Sequence, residues 1–167
     1  MTTSTPDAQL SLLRDCHRDK LTMRQRHAAV AQQVSHYEFN NTYQYVIARE
    51  DVHVAWLEAA VVELGGTPET IPEPVLPSAG KGTAFLSLVA EDARAAEAFV
   101  ARWRPRLPEI TSARHRTMLS LMCGETLEQK RFFDQMVAGN ENLLGRRSNG
   151  PKSDGTGDGV MAVRWVG

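Results

Sequence analysis

Apolar residues recur at alternating spacings of three and four over four long stretches of this chain, and the helix breakers fall between them. Gly and Pro cluster at residues 65–82, at Pro105 and Pro108, and from Gly145 onward. The first stretch opens with Thr5 as an N-cap, Pro6 in the first turn and an early acid, Asp7. Helix 1 is expected to run to about Ser35, with a connection over residues 36–41, where the Asn40-Asn41 pair stands among weak helix formers. Helix 2 then ends at Gly65-Gly66, helix 3 covers residues 83–103, and helix 4 follows the turn at Pro105 and Pro108 and runs to about Leu144.

The stretch between helices 2 and 3, TPETIPEPVLPSAGKG, carries four prolines and cannot be helical. Fully extended it reaches about 50 Å, and a helix of about 27 residues is about 40 Å long. It can therefore carry the chain from one end of a bundle to the other. The expected fold is all-α: a four-helix bundle over residues 1–144, two antiparallel helical hairpins joined by a long Pro-rich crossover. Residues 145–167 change character, with six of the twelve glycines and then the apolar end VMAVRWVG. They read as a flexible linker carrying a short apolar tail.

Composition narrows the class. The 167 residues suit one domain, and 42% hydrophobic with 23% charged residues is a globular balance. A net charge of -1 gives no electrostatic footprint for nucleic acid. No apolar run is long enough for a membrane span, and the opening MTTSTPDAQL lacks the basic and apolar regions of a secretory signal. The two cysteines, Cys16 and Cys123, form no CxxC pair or zinc spacing, so the expectation is a reduced, cytoplasmic setting. The GKGT at residues 80–83 lacks the first glycine of a phosphate loop, with Val75 in its place. The arginines 102, 104, 106, 114 and 116 read as a solvated face.

The chemical information lies on the helical seams. Helix 2 gives Val46, Glu50, His53, Leu57, Ala60 and Leu64, so two ionisable groups sit three apart inside an apolar stripe. Helix 4 gives Met118, Leu121, Glu125, Glu128, Phe132 and Met136; helix 3 gives Phe85, Leu88, Asp92, Ala95 and Phe99; helix 1 gives Leu10, Leu13, His17 and Leu21. Four carboxylates and two imidazoles thus share one level of the bundle. Unneutralised, such carboxylates repel in a low-dielectric core. A metal is one neutraliser, and mixed carboxylate and imidazole ligation suits iron or manganese. The other is a buried ion-pair network through His17, His53, Lys20 or Arg94; Lys20 lies one turn from His17, and its ammonium could stand where a metal would. His17 to Glu50 and Asp92 to Glu125 are both 33 residues, so the two hairpins have an internal symmetry.

The segment AREDVHVAWLEAAVVELGGTP resembles the second helix of ferritin-like proteins of the bacterioferritin and rubrerythrin type, with an ExxH motif and a Leu-Gly-Gly helix end about eleven residues later. The resemblance covers roughly residues 8–144. It implies a di-iron carboxylate site, or a manganese or mixed pair, in which Glu50 and Glu125 bridge the metals and His53 and Asp92 are terminal ligands. It implies a ferroxidase or other di-iron oxidase using oxygen or peroxide. Two positions depart from the family's pattern. His17 stands where helix 1 has a Glu, and Glu125 is followed by Glu128 and Gln129 where the second ExxH has its His. A mixed metal pair, one tightly held ion, or a bundle that has lost its metals and works as an interaction module all remain open. The tail is similar in layout to the targeting peptides of ferritin-like cargo in encapsulin shells. That resemblance implies a shell partner met through residues 160–167, within a protein nanocompartment. Beside it stand two other readings of the tail: a disordered remnant, or a strip that docks on its own or a neighbouring subunit of a symmetric homo-oligomer.

Overall fold

The computed structural model describes residues 5–141 and 143–144. Among these residues the chain is all-helical: α1 Pro6–Ala31, α2 Tyr37–Glu63, α3 Leu86–Trp103 and α4 Ala113–Val137, with a short 3-10 helix at Arg104–Glu109 and no strand. No helix among them is long and apolar enough to cross a membrane. This is compatible with a four-helix bundle. α1 packs most widely against α2 and α3 against α4, with smaller contacts between α1 and α3 and between α2 and α4.

The helix ends follow local chemistry. Thr5 accepts a hydrogen bond from the Ala8 amide at 3.1 Å, and Ser112 accepts one from His115 at 3.2 Å. α2 begins earlier than the sequence suggests, at Tyr37 with His36 as its cap. The reason is Asn40, whose side-chain amide donates to the carbonyls of Ala31 at 3.0 Å and Val34 at 3.1 Å. A residue that reads as a breaker thus lies inside α2 and satisfies carbonyls freed at the end of α1. α2 closes with the Gly65 amide bonded to Val62 and the Gly66 amide to Val61, Gly65 taking φ of 88°. Gly66 lets α1 come close: a Cβ there would stand 2.6 Å from Leu10 Cδ1, so a larger residue would require the Leu10 side chain to shift.

The proline-rich segment runs along α1. Arg18 donates to both oxygens of Glu69, Gln25 to the Ile71 carbonyl at 2.5 Å, and Gln33 to the Pro77 carbonyl at 3.0 Å while accepting from the Ala79 amide at 2.7 Å. Backbone groups that proline leaves without a helical ladder are therefore met by side chains of α1.

The buried apolar residues form two clusters. One gathers Leu13, Cys16, Leu57, Phe99, Trp103, Leu119 and Met122 with their neighbours, the other Val30, Tyr43, Val46, Phe85, Val89, Phe133 and Met136 with theirs. Along every helix the buried polar residues Lys20, His27, Glu50, His53, Asp92, Thr126 and Gln129 fall around the boundary between them. α4 is rotated from the expected register. Its buried face is His115, Leu119, Met122, Cys123, Thr126, Gln129, Phe132, Phe133 and Met136, which keeps Phe132 and Met136 of the expected stripe, while Leu121 is 52% exposed and Glu128 lies outside. Both registers carry apolar residues at helical spacing, and the one adopted buries a hydroxyl and an amide where the other would bury two carboxylates.

Gln9 ties the α3–α4 turn to α1, donating to the Glu109 carbonyl at 2.7 Å and accepting from the Thr111 amide at 3.0 Å. Gln9→Ala removes two part-buried hydrogen bonds to backbone groups, each worth about 0.5–1.5 kcal/mol, and is expected to cost about 1–3 kcal/mol in urea unfolding. A loss inside about 0.5 kcal/mol, the range of a bare surface change, would show that the contact holds nothing.

Candidate functional site

The polar layer is built from three acids, each met by a cation of the same chain. Lys20 of α1 and Glu50 of α2 are both 0% exposed, and Lys20 Nζ donates to Glu50 Oε2 at 2.9 Å. The same nitrogen donates to Thr126 Oγ1 of α4 at 2.8 Å and lies 4.5 Å from the centre of the Phe99 ring of α3. The Thr126 hydroxyl spends its own proton on the Met122 carbonyl at 2.8 Å, which leaves its lone pairs for the lysine. One ammonium thus meets all four helices.

Asp92 of α3 is engaged on both oxygens. Arg26 Nε donates to Oδ1 at 2.7 Å, and the Tyr43 hydroxyl donates to Oδ2 at 2.5 Å. Burial, and then the neighbouring carboxylate, hold the Tyr43 phenol well above its usual range. Arg26 reaches on to Glu91 at 2.9 Å and so anchors the pair at the protein surface. His27 stands between the two acids, with Nδ1 3.9 Å from Glu50 Oε1 and Nε2 4.0 Å from Asp92 Oδ1. It packs edge-on to Tyr43 and against Phe133, and burial pushes its pKa down to about 4.

Glu125 of α4 reaches in from the edge. Its Oε1 accepts from Arg49 Nη2 at 2.6 Å and from His53 Nε2 at 2.8 Å. Burial alone would raise this carboxyl, but the bonds from Arg49 and His53 outweigh it and hold the group below its ordinary range. A carboxylate only accepts, so His53 carries its proton on Nε2 and turns a bare Nδ1 toward Glu50 Oε2, 4.0 Å away. Burial, and then the charge of Lys20, lower the His53 pKa.

Of the six residues that seam counting singles out, Glu50, His53 and Asp92 are buried in this layer, and Glu125 joins it from the rim. Glu128 is half-exposed and pairs with Arg131 at 3.3 Å on the outer face of α4. His17 is buried but turned to Glu58 at 3.6 Å, two turns along α2 from Glu50. The partner of Glu50 on α1 is Lys20, one turn further on, and Arg94 is exposed. Seam counting misses Arg26, His27, Arg49, Thr126 and Gln129. Only Arg49, a cation next to an acid already singled out, carries a signal in the sequence. Tyr43 packs in the core as an aromatic there should, and its hydroxyl bond to Asp92 has no signature in spacing.

Among the described residues, no group of three or more His, Cys, Asp or Glu is arranged to hold a metal ion. Several buried atoms in or beside the layer have no hydrogen-bond partner: Glu50 Oε1, His53 Nδ1, His27 Nδ1, His17 Nε2 and both amide atoms of Gln129. Of the arginines around the α3–α4 turn, Arg102 pairs with Asp19, Arg106 with Glu109 and Arg114 with Glu63, and Arg116 caps the Ile110 carbonyl. The apolar tail and its linker lie outside the described residues. The chain matches no family model, no curated protein and no solved structure.

His27 sets a pH dependence whose sign follows from its burial. Between its folded value of about 4 and its ordinary 6.5, the unfolded chain binds a proton that the folded chain refuses. Stability is therefore full above pH 6.5 and falls as pH drops toward 4. His53, also lowered, adds to the same slope, and Glu125 adds a further loss below its ordinary 4.5. In urea unfolding followed against pH, His27→Leu is expected to flatten part of the slope between 6.5 and 4.5. An unchanged slope would show that His27 is protonated equally in both states.

Proposed function

We propose that this chain is a ferritin-like four-helix bundle that acts as a binding or structural module, its core acids neutralised by its own side chains and not by a metal pair. The two hairpins are α1 with α2 and α3 with α4, joined by residues 67–82 as the crossover. Their mutual packing and the hydrogen bonds from α1 to that segment support this arrangement.

The observation that carries the reading is the Lys20 ammonium bonded to Glu50 at zero exposure. In the family that the sequence resembles, the residue at this place bridges two metals; here one of its oxygens holds a cation of the chain. The second bridging candidate, Glu125, shares one oxygen between Arg49 and His53, and both oxygens of Asp92 are taken. Lys20, Arg26 and Arg49 balance Glu50, Asp92 and Glu125 one for one. Little net negative charge is left to draw in two dications, which would meet three like charges at close range. As a donor set, these residues do not fit a metal pair.

One observation favours a second reading, in which iron or manganese binds here and reacts with oxygen or peroxide. Glu50 Oε1, His53 Nδ1 and His17 Nε2 are buried metal-type donors without partners. On that reading Lys20 must withdraw or lose its proton, and Arg49 must release Glu125.

Anaerobic titration of the purified chain with Fe(II), metal analysis per chain, and exposure to air under near-ultraviolet absorbance separate the two. The expected result is no stoichiometric iron and no oxo-ferric band. About two irons per chain, the complement of a di-iron carboxylate bundle, with a ferric band on exposure to air would overturn the proposal. Glu128→Ala, on the outer face, is expected to leave both metal content and stability unchanged, the latter within about 0.5 kcal/mol.

A further inference from the structure

Away from the polar layer, α2 and α4 border an open, mainly apolar groove. It is lined by the small residues Ala59, Ala60 and Ala113 and the larger Trp56, Met118 and Leu121, with Arg114, His115 and Thr117 beside them, around a volume of about 610 Å³. It continues past Arg114 into a second depression of about 560 Å³ bearing Glu58, Val62, Glu63 and Pro68. Leu121 in the first depression and Val62 in the second are each more than half exposed. Each depression is of the size that holds a compact ligand. The groove is thus mainly apolar, with Glu58 and the Arg114–Glu63 pair at one end.

We infer that this groove is the seat of residues 160–166 of the same chain. That segment, VMAVRWV, is apolar apart from Arg164, so its composition matches the groove: apolar side chains for the apolar lining and one cation for Glu58. Glu58 is the acid available to Arg164, since its side chain is 45% exposed and, among the described residues, its ion-pair partner is His17 at 3.6 Å. Reach is sufficient. The 15 residues 145–159 span up to about 50 Å, and the whole 25-residue length of α4 is about 37 Å. A linker rich in Gly and Ser holds the segment at high effective concentration near its own groove, so docking in the same chain outcompetes docking on another until protein is very concentrated. The inference does not depend on what the core binds. It assigns to the apolar end a place on this molecule, where an address for a shell protein would have to stay free.

Full-length chain grown with 5-fluorotryptophan reports on it directly, because the three tryptophans are Trp165 in the segment, Trp56 in the groove wall and Trp103, fully buried. Fluorine resonances are assigned with Trp→Phe variants. Leu121→Arg blocks the groove at an exposed position, so the fold is retained. It is expected to move the Trp165 resonance to that of free indole and to shift Trp56, leaving Trp103 in place, at every protein concentration. Trp165→Ala is expected to shift Trp56 likewise. A Trp165 resonance already at the free position in the parent chain, or a Trp56 resonance indifferent to Trp165→Ala, would overturn the inference. A shift that vanishes on dilution would overturn it in favour of a second copy of the chain as the source of the segment.

Discussion

A lysine ammonium and a carboxylate, both without exposure to water, have to be held together for this core to exist. Removing two such ions from water costs several kcal/mol each, and their attraction repays it only when the remaining donors and lone pairs are also met. On the lysine side that condition is met: two of its protons go to Glu50 and Thr126, and the charge rests against the face of Phe99; on the carboxylate side Oε2 is bonded and Oε1 is not. Because these partners come from α1, α2, α3 and α4, the pair also fixes the level at which the four helices meet. The apolar clusters on either side exclude water from the layer. The rest of the polar arrangement follows from charge closure at that level. With Glu50 taken by Lys20, His27 stays neutral between two carboxylates, and Asp92 and Glu125 are left to draw Arg26 and Arg49 in from the surface.

The outer pairs behave differently from the inner one. Arg26 and Arg49 are partly exposed, so their guanidinium groups keep some hydration while reaching inward, and Arg26 has the second acid Glu91 outside to share its charge. Lys20 has no such outlet. Its charge is met inside the core by Glu50 alone among the described carboxylates within ion-pair distance. Four polar atoms without a hydrogen-bond partner, three ring nitrogens on His17, His27 and His53 and one carboxylate oxygen on Glu50, are left in or beside the layer, and with the Gln129 amide they are the places where it is least satisfied. They are the cost of a polar layer whose hydrogen bonds are spent on cations of the chain.

Much of this was legible in the sequence, and the failures have physical causes. The α2 seam needed no structure: Val46, Glu50, His53, Leu57 and Ala60 are buried as their spacing requires, since an apolar stripe of that length has only one register. α4 offers two stripes one residue apart, and periodicity cannot choose between them. The cost of burying Glu128 chooses, and that is a property of the packed core. The start of α2 was hidden because Asn40 reads as a breaker from local propensity alone. Its role is nonlocal, in capping the end of α1. Lys20 could be named from sequence as a competitor for a metal, because one turn from a seam residue is still inward. Arg26 could not, because a long side chain on a part-exposed position reaches the core only when the neighbouring helix is in place; Arg49 offered only its adjacency to Glu50.

A double-mutant cycle on Lys20 and Glu50 tests the central claim most directly. Lys20→Met and Glu50→Leu each leave one buried charge without its partner, and each is expected to cost about 3–5 kcal/mol in chemical unfolding. The double variant, which removes both charges and fills their space with apolar groups, is expected to cost far less than the two together. Costs that add within about 0.5 kcal/mol, or single variants that unfold no more readily than the parent chain, would contradict the account and leave Glu50 free for another cation.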